Sequence, residues 1–113
     1  GASLAAALAG GSEPTEFRPS FVDGAGSKSL LPAMWKRALP LLAGSYVVSL
    51  DETAAAVRLL AERARVVAEG AGALAVAAAL KHGREGERLV CVVSGGNIDS
   101  ARLGEILSGR TPV

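Results

Sequence analysis

The sequence predicts an α/β fold with a mostly parallel sheet flanked by helices, on three observations. Two short apolar runs rich in β-branched residues, Tyr46–Leu50 and Leu89–Val93, have the pattern of buried parallel strands. Each run is followed by helix-capping residues, Asp51 after the first and Asn97 and Asp99 after the second. Between the runs lie two helical stretches joined by short connections. The order strand–helix–helix–strand implies a parallel pair with a right-handed crossover.

The remaining elements follow in chain order. Ala2–Ala9 is a run of small residues that predicts a short helix stopped by Gly10 and Gly11. Ser12–Ser20, with Pro14 and Pro19, predicts an extended loop. Phe21 and Val22 form a candidate very short strand entering the turn Asp23-Gly24-Ala25-Gly26-Ser27, whose glycines admit positive φ. Leu31–Leu42 is apolar at helical spacing, with Pro32 near its start and Pro40 marking a kink or a second short helix. Gly44 suits a helix stop. After Asp51, the stripe Ala54, Val57, Leu60, Ala61 and Ala64 lies opposite Arg58, Glu62 and Arg65, which predicts an amphipathic helix. Ala73–Leu80 is apolar nearly all round, which predicts burial on both sides. Lys81, His82 and Gly83 end it with cations suited to a helix C-terminus and a glycine stop. Arg84–Glu87 reads as a solvated loop and Ser100–Leu107 as a final short helix.

Length and composition narrow the class. The 113 residues make one domain or a piece of one. Half the residues are apolar but only 4% are aromatic, so the core depends on close backbone approach rather than on bulky side chains. Twelve basic residues against eleven acidic leave a net charge of +1 with no basic block, which argues against a nucleic-acid partner. No apolar run reaches the ~18 residues of a membrane span. The lone Cys91 excludes a disulfide framework, fits a reducing, cytoplasmic setting, and reads as a small buried hydrophobe. The chain opens on Gly1 in what reads as mid-helix, and the expectation is a processed or truncated amino end.

Taken singly, the motifs have bland readings. Ser94-Gly95-Gly96-Asn97 is a common way to leave a strand. Glu69-Gly70-Ala71-Gly72 opens a helix, where glycines permit close packing and a glutamate suits the dipole. Asp23-Gly24 is an ordinary turn dipeptide. His82 has no second ligand at metal-binding spacing, and no metal site is expected. Gly24–Ser29 lacks the spacing of a phosphate loop.

In order, however, Phe21-Val22-Asp23-Gly24, Tyr46-Val47-Val48-Ser49 with Asp51-Glu52, Val66–Ala73 and Val92–Asp99 form a combination with far more specificity. Together they resemble the carboxyl-terminal part of a threonine dehydratase (threonine ammonia-lyase). That enzyme belongs to the pyridoxal-phosphate enzymes of the tryptophan-synthase β-subunit fold, beside serine dehydratase and serine racemase. The resemblance implies that residues 1–113 are the carboxyl-terminal segment of the large, three-layer cofactor-binding domain. It further implies pyridoxal 5′-phosphate as cofactor, a small amino-acid substrate, a homo-oligomer, and a place in amino-acid metabolism such as isoleucine biosynthesis. The implied reaction is β-elimination of L-threonine or L-serine to 2-oxobutanoate or pyruvate and ammonia.

Position by position, the resemblance implies that Ser94 hydrogen-bonds the pyridine nitrogen of the cofactor. Gly95, Gly96 and Asn97 form the turn that carries it, and Glu69 and Gly24 lie beside the ring. Ser27 falls where relatives place a serine near the substrate carboxylate, in a loop that departs from the family pattern. The family's Schiff-base lysine has no counterpart at Lys28, Lys36 or Lys81, and the glycine-rich phosphate loop has none either. No catalytic residue is therefore expected in this chain, and the amino-terminal half is expected as the rest of the same chain or as a second one. Two other readings stay open. One is a racemising or β-replacing enzyme of the same fold, and the other is a non-catalytic α/β interaction module.

Overall fold

The computed structural model describes residues 3–10, 18–25 and 30–113. They fall in two compact units. The first comprises residues 3–10, 18 and 30–47, and the second Pro19–Ala25 with Val48–Val113.

In the first unit, α1 spans Ser3–Leu8 and ends at Gly10, whose φ of 82° needs a residue without a Cβ. The second helix, α2, spans Pro32–Ala38 with proline in its first turn, where the missing N–H costs nothing. A 3-10 turn, Leu39–Leu41, continues it through Pro40, as the proline predicts. The turn ends on Leu42 rather than on Gly44. No residue of α2 or of the 3-10 turn is buried.

The second unit holds the core. Helix α3 spans Leu50–Leu59 and runs on into a π-helical turn, Leu60–Ala64. Its cap is Ser49 rather than the expected Asp51. The Ser49 hydroxyl accepts the Glu52 N–H at 3.1 Å, and the Glu52 carboxylate accepts the Ser49 N–H at 2.7 Å. This reciprocal box satisfies two donors that the helix start would otherwise strand. Asp51, freed from capping, accepts a hydrogen bond from the Thr111 hydroxyl. Helix α4 spans Gly70–His82, beginning ahead of the apolar run that predicts it. The Lys81 ammonium, near its end, meets the Glu52 carboxylate at 3.0 Å and ties α4 to the start of α3.

Helix α5 spans Ser100–Leu107, as the sequence predicts. Asp99 caps it by accepting the N–H groups of Ala101 and Arg102; Asn97, the other candidate, does not. Its far end closes on Gly109 at φ 85°. The Gly109 N–H donates to the Ile106 carbonyl and the Arg110 N–H to that of Glu105, a pair of bonds that reverses the chain.

The core is made of small residues, as the composition implies. Ala54, Ala56 and Val57 of α3, Ala73 and Ala77 of α4, and Ile106 of α5 close on Leu60, Ala68 and Phe21. Phe21 is 2% exposed and is the one aromatic side chain in this core.

The expected sheet is not seen among the described residues, and two further expectations need correction. No strand forms among the described residues: Phe21-Val22, Tyr46–Leu50 and Leu89–Val93 lack a ladder. The reason is that a strand exists only as one side of a hydrogen-bonded pair. The side chains of Leu89, Val90, Val92 and Val93 are correspondingly open, with Val90 94% exposed. Helix α4 is buried on one face only, because Leu80 is exposed while Gly70, Gly72, Ala73 and Ala77 are buried. Cys91 is half-buried rather than enclosed, and its thiol lies 3.5 Å from the Ala75 carbonyl.

Candidate functional site

Within the second unit, the start of α4 is closely packed on both sides, by Phe21 and Val22 at Gly70 and by the Gly95 backbone at Gly72. A Cβ at Gly70 would press on Val22 at 2.9 Å and on Phe21 at 3.0 Å. A Cβ at Gly72 would collide with the backbone of Gly95. Glycine at these two positions is what lets the segment Phe21–Gly24 and the turn Ser94–Asn97 come up against the same helix.

Glu69 joins them. It is the residue before α4, with extended backbone at φ −77° and ψ 168°. Its N–H donates to the Gly95 carbonyl at 3.0 Å. Its carboxylate accepts the Asn97 N–H at 2.9 Å through Oε2. The same carboxylate fills the space beside two glycines: a Cβ at Gly95 would stand 2.6 Å from Oε1, and one at Gly24 would stand 3.2 Å from it. Three of the residues singled out in the sequence, Glu69, Gly24 and Gly95, therefore meet at one point.

An open cavity of about 310 Å³ adjoins this junction, bordered by Asp23, Glu69, Asn97, Asp99 and Arg102, with Phe21 and Ile98. Its polar groups are carboxylates, a guanidinium and amides, suited to holding a polar ligand rather than to nucleophilic attack. Ser94 stands one residue before Gly95 and is exposed, but it does not border the cavity. Ser27 lies outside the described residues. No cluster of three or more metal-ligating side chains occurs among the described residues. No described helix is long and apolar enough to cross a membrane.

Sequence reasoning missed Arg102 and treated Asp23 as a plain turn residue. The Arg102 guanidinium lies 3.6 Å from the Asp23 carboxylate. One signal was present: Arg102 is a cation in the first turn of α5, where the helix dipole disfavours positive charge. A residue placed against that preference has its partner elsewhere.

An L-threonine ammonia-lyase of Thermotoga maritima is 35% identical over 106 residues, covering 93% of this chain and 26% of the relative. The biosynthetic L-threonine dehydratase of Mycobacterium leprae is 38% identical over 112 residues, covering 94% of this chain and 26% of the relative. The catabolic L-threonine dehydratase of Staphylococcus aureus is 41% identical over 66 residues, covering 54% of this chain and 19% of the relative. The chain thus spans about a quarter or less of the length of these curated relatives. A family model described as pyridoxal-phosphate dependent enzyme matches residues 1–95, most of the chain, and the chain belongs to that family.

Proposed function

We propose that this chain is the carboxyl-terminal segment of the cofactor-binding domain of a pyridoxal-phosphate-dependent enzyme that deaminates L-threonine or L-serine. The observation that carries the reading is the junction of Glu69 with Gly24, Gly95 and Asn97, in a chain similar over more than nine-tenths of its length to two of the threonine-deaminating enzymes named above. The residues fit the cofactor in one respect. Ser94 is exposed at the start of a turn whose next two residues carry no side chain to crowd it.

Bound pyridoxal phosphate supplies an electron sink for the substrate carbanion, and the protein sets the strength of that sink. Ser94 would do so by donating its hydroxyl hydrogen to the pyridine nitrogen. A hydroxyl, unlike a carboxylate, leaves that nitrogen without a full proton, which suits an elimination relieved by loss of the β-hydroxyl. Glu69 and Gly24 would flank the ring, and Ser27 would lie toward the substrate carboxylate. The lysine that carries the cofactor would come from the remainder of the protein, in the same chain or a second one, within a homo-oligomer. We further propose that Tyr46–Val48, ahead of the Ser49 cap, and Leu89–Val93 are strands of a parallel sheet that this remainder completes. The open side chains of Leu89, Val90 and Val92 support that assignment. A cytoplasmic location accords with the single free cysteine.

The test uses the full-length protein. Purified with pyridoxal phosphate, it should release 2-oxobutanoate from L-threonine or pyruvate from L-serine, and Ser94→Ala should lower kcat and alter the cofactor's visible spectrum. Residues 1–113 alone should give no visible band of a lysine-linked cofactor. A full-length protein that holds the cofactor yet releases neither keto acid overturns the reading.

A further inference from the structure

We infer that Glu69 is a positioning residue, whose carboxylate sets where the Ser94 hydroxyl stands by pinning the turn that follows it. The inference rests on the pyridoxal-phosphate reading above and assigns Glu69 a role within that site.

Glu69 occupies the N-cap position of α4, yet its side chain makes no bond to its own helix. It crosses to the turn instead. The Glu69 N–H holds the Gly95 carbonyl at 3.0 Å, and the Glu69 carboxylate holds the Asn97 N–H at 2.9 Å. One residue thus grips the turn on both sides of Gly96, once by backbone and once by side chain. Gly95 lies directly beneath the carboxylate, where a Cβ would be 2.6 Å from one oxygen and 3.1 Å from the other. A Cβ at Gly96 would be 2.6 Å from the Val67 carbonyl, so the turn is closed against the segment leading into Glu69 as well. Ser94 precedes the first pinned residue, and its placement follows from these contacts.

The role needs an acceptor and not a charge. The amide oxygen of a glutamine accepts the Asn97 N–H in the same place, at the lower strength of a neutral bond. A role exerted by negative charge on the ring would disappear in glutamine and alanine alike. That difference separates the two.

The experiment compares Glu69→Gln and Glu69→Ala in the full-length protein by three measurements. These are amide hydrogen exchange across residues 95–97 in the cofactor-free form, affinity for pyridoxal phosphate, and kcat. Loss of one charge-assisted hydrogen bond in Glu69→Ala should speed exchange at Asn97 by about tenfold or more. Affinity and kcat should fall with it. Glu69→Gln should keep most of the exchange protection and should fall less than Glu69→Ala in the other two. The proposal is overturned if Glu69→Ala leaves exchange at the wild-type rate. It is equally overturned if Glu69→Gln falls as far as Glu69→Ala in kcat with protection intact. Should Glu69→Ala not fold, Gly95→Ala replaces it, because a Cβ at 95 expels the carboxylate; unchanged exchange at Asn97 would again overturn the proposal. If the wild-type protein takes up no pyridoxal phosphate, the enzymatic reading fails by itself, while the exchange comparison still decides what holds the turn.

Discussion

Gly72 rests directly on Gly95: a Cβ at position 72 would be driven into the Gly95 carbonyl oxygen and would stand 3.0 Å from the Gly95 nitrogen. Both obstacles are backbone atoms, so neither can swing aside. The contact fixes the spacing between α4 and the turn that carries Ser94, and it explains a glycine in the first turn of the helix.

The first prediction follows from that contact. Gly72→Ala should destabilise the protein by about 1–3 kcal/mol, the usual cost of forcing extra volume into a packed site. It should also weaken cofactor affinity, since the turn must retreat. Gly104→Ala supplies the contrast. Gly104 lies inside α5, where an added Cβ would meet nothing within 4 Å. Alanine there should stabilise by roughly 0.5–1 kcal/mol through helix propensity. Urea unfolding of the two variants should move in opposite directions.

The second prediction concerns the start of α3. Ser49→Ala removes the acceptor for the Glu52 N–H at 3.1 Å, and such a cap is worth about 1 kcal/mol. Thr53 does not compensate, because its hydroxyl is held by its bond to the Ser49 carbonyl at 2.8 Å and makes no contact with the Glu52 N–H. Ser49→Asp should retain nearly all the stability, whereas Asp51→Ala should not reproduce the loss at the helix start. Denaturant midpoints distinguish them.

The helices were legible in the sequence because their signals are local. Asp99 before an apolar-periodic stretch and Ser108-Gly109 after it delimit α5 to the residue. The start of α3 contained two competing local signals, and the Ser-x-x-Glu spacing of Ser49 and Glu52 prevailed over Asp51 because it satisfies two donors reciprocally. Tyr46–Leu50 and Leu89–Val93 could not be settled that way. Strand formation depends on a neighbour distant in sequence, and composition says only that a residue suits one. At the site, the meeting of Glu69, Gly24 and Gly95 followed motifs read in order, but the Arg102–Asp23 contact depends on how α5 is set down against Phe21–Gly24, which no spacing encodes.

The third prediction is a pH dependence. The Ser49 N–H hydrogen bond, and after it the Lys81 ammonium, hold the Glu52 carboxyl below the ordinary glutamate range. Its pKa is lower folded than unfolded, so the stabilisation is complete above the ordinary range. It is lost as the pH falls through that range toward the folded value. Glu52→Gln should therefore lower stability at neutral pH, converge with the wild type in acid, and so flatten the decline that begins as the pH falls below about 5. Salt should weaken the Lys81 part, which is solvent-exposed, and leave the Ser49 part. Urea midpoints measured across that window at low and high salt check both statements.

The fourth prediction comes from the end of the π-helical turn. Arg65 sits at φ 58° and ψ 32°, the left-handed region, and is the one described residue other than glycine with positive φ. Its N–H and that of Val66 both converge on the Leu60 carbonyl, so the reversal is bonded in place and the residue cannot relax out of it. For an L side chain that conformation costs about 1–2 kcal/mol, whereas glycine adopts it freely and loses instead in unfolded-state entropy. Arg65→Gly should accordingly raise stability by up to about 1 kcal/mol, Arg65→Asn by less, and Arg65→Val should lower it, since branching at Cβ makes the region least accessible. The order Gly, Asn, Arg, Val in urea midpoint at constant slope is the expected result. A glycine variant less stable than the arginine would mean that the guanidinium contributes more at this position than the backbone strain costs.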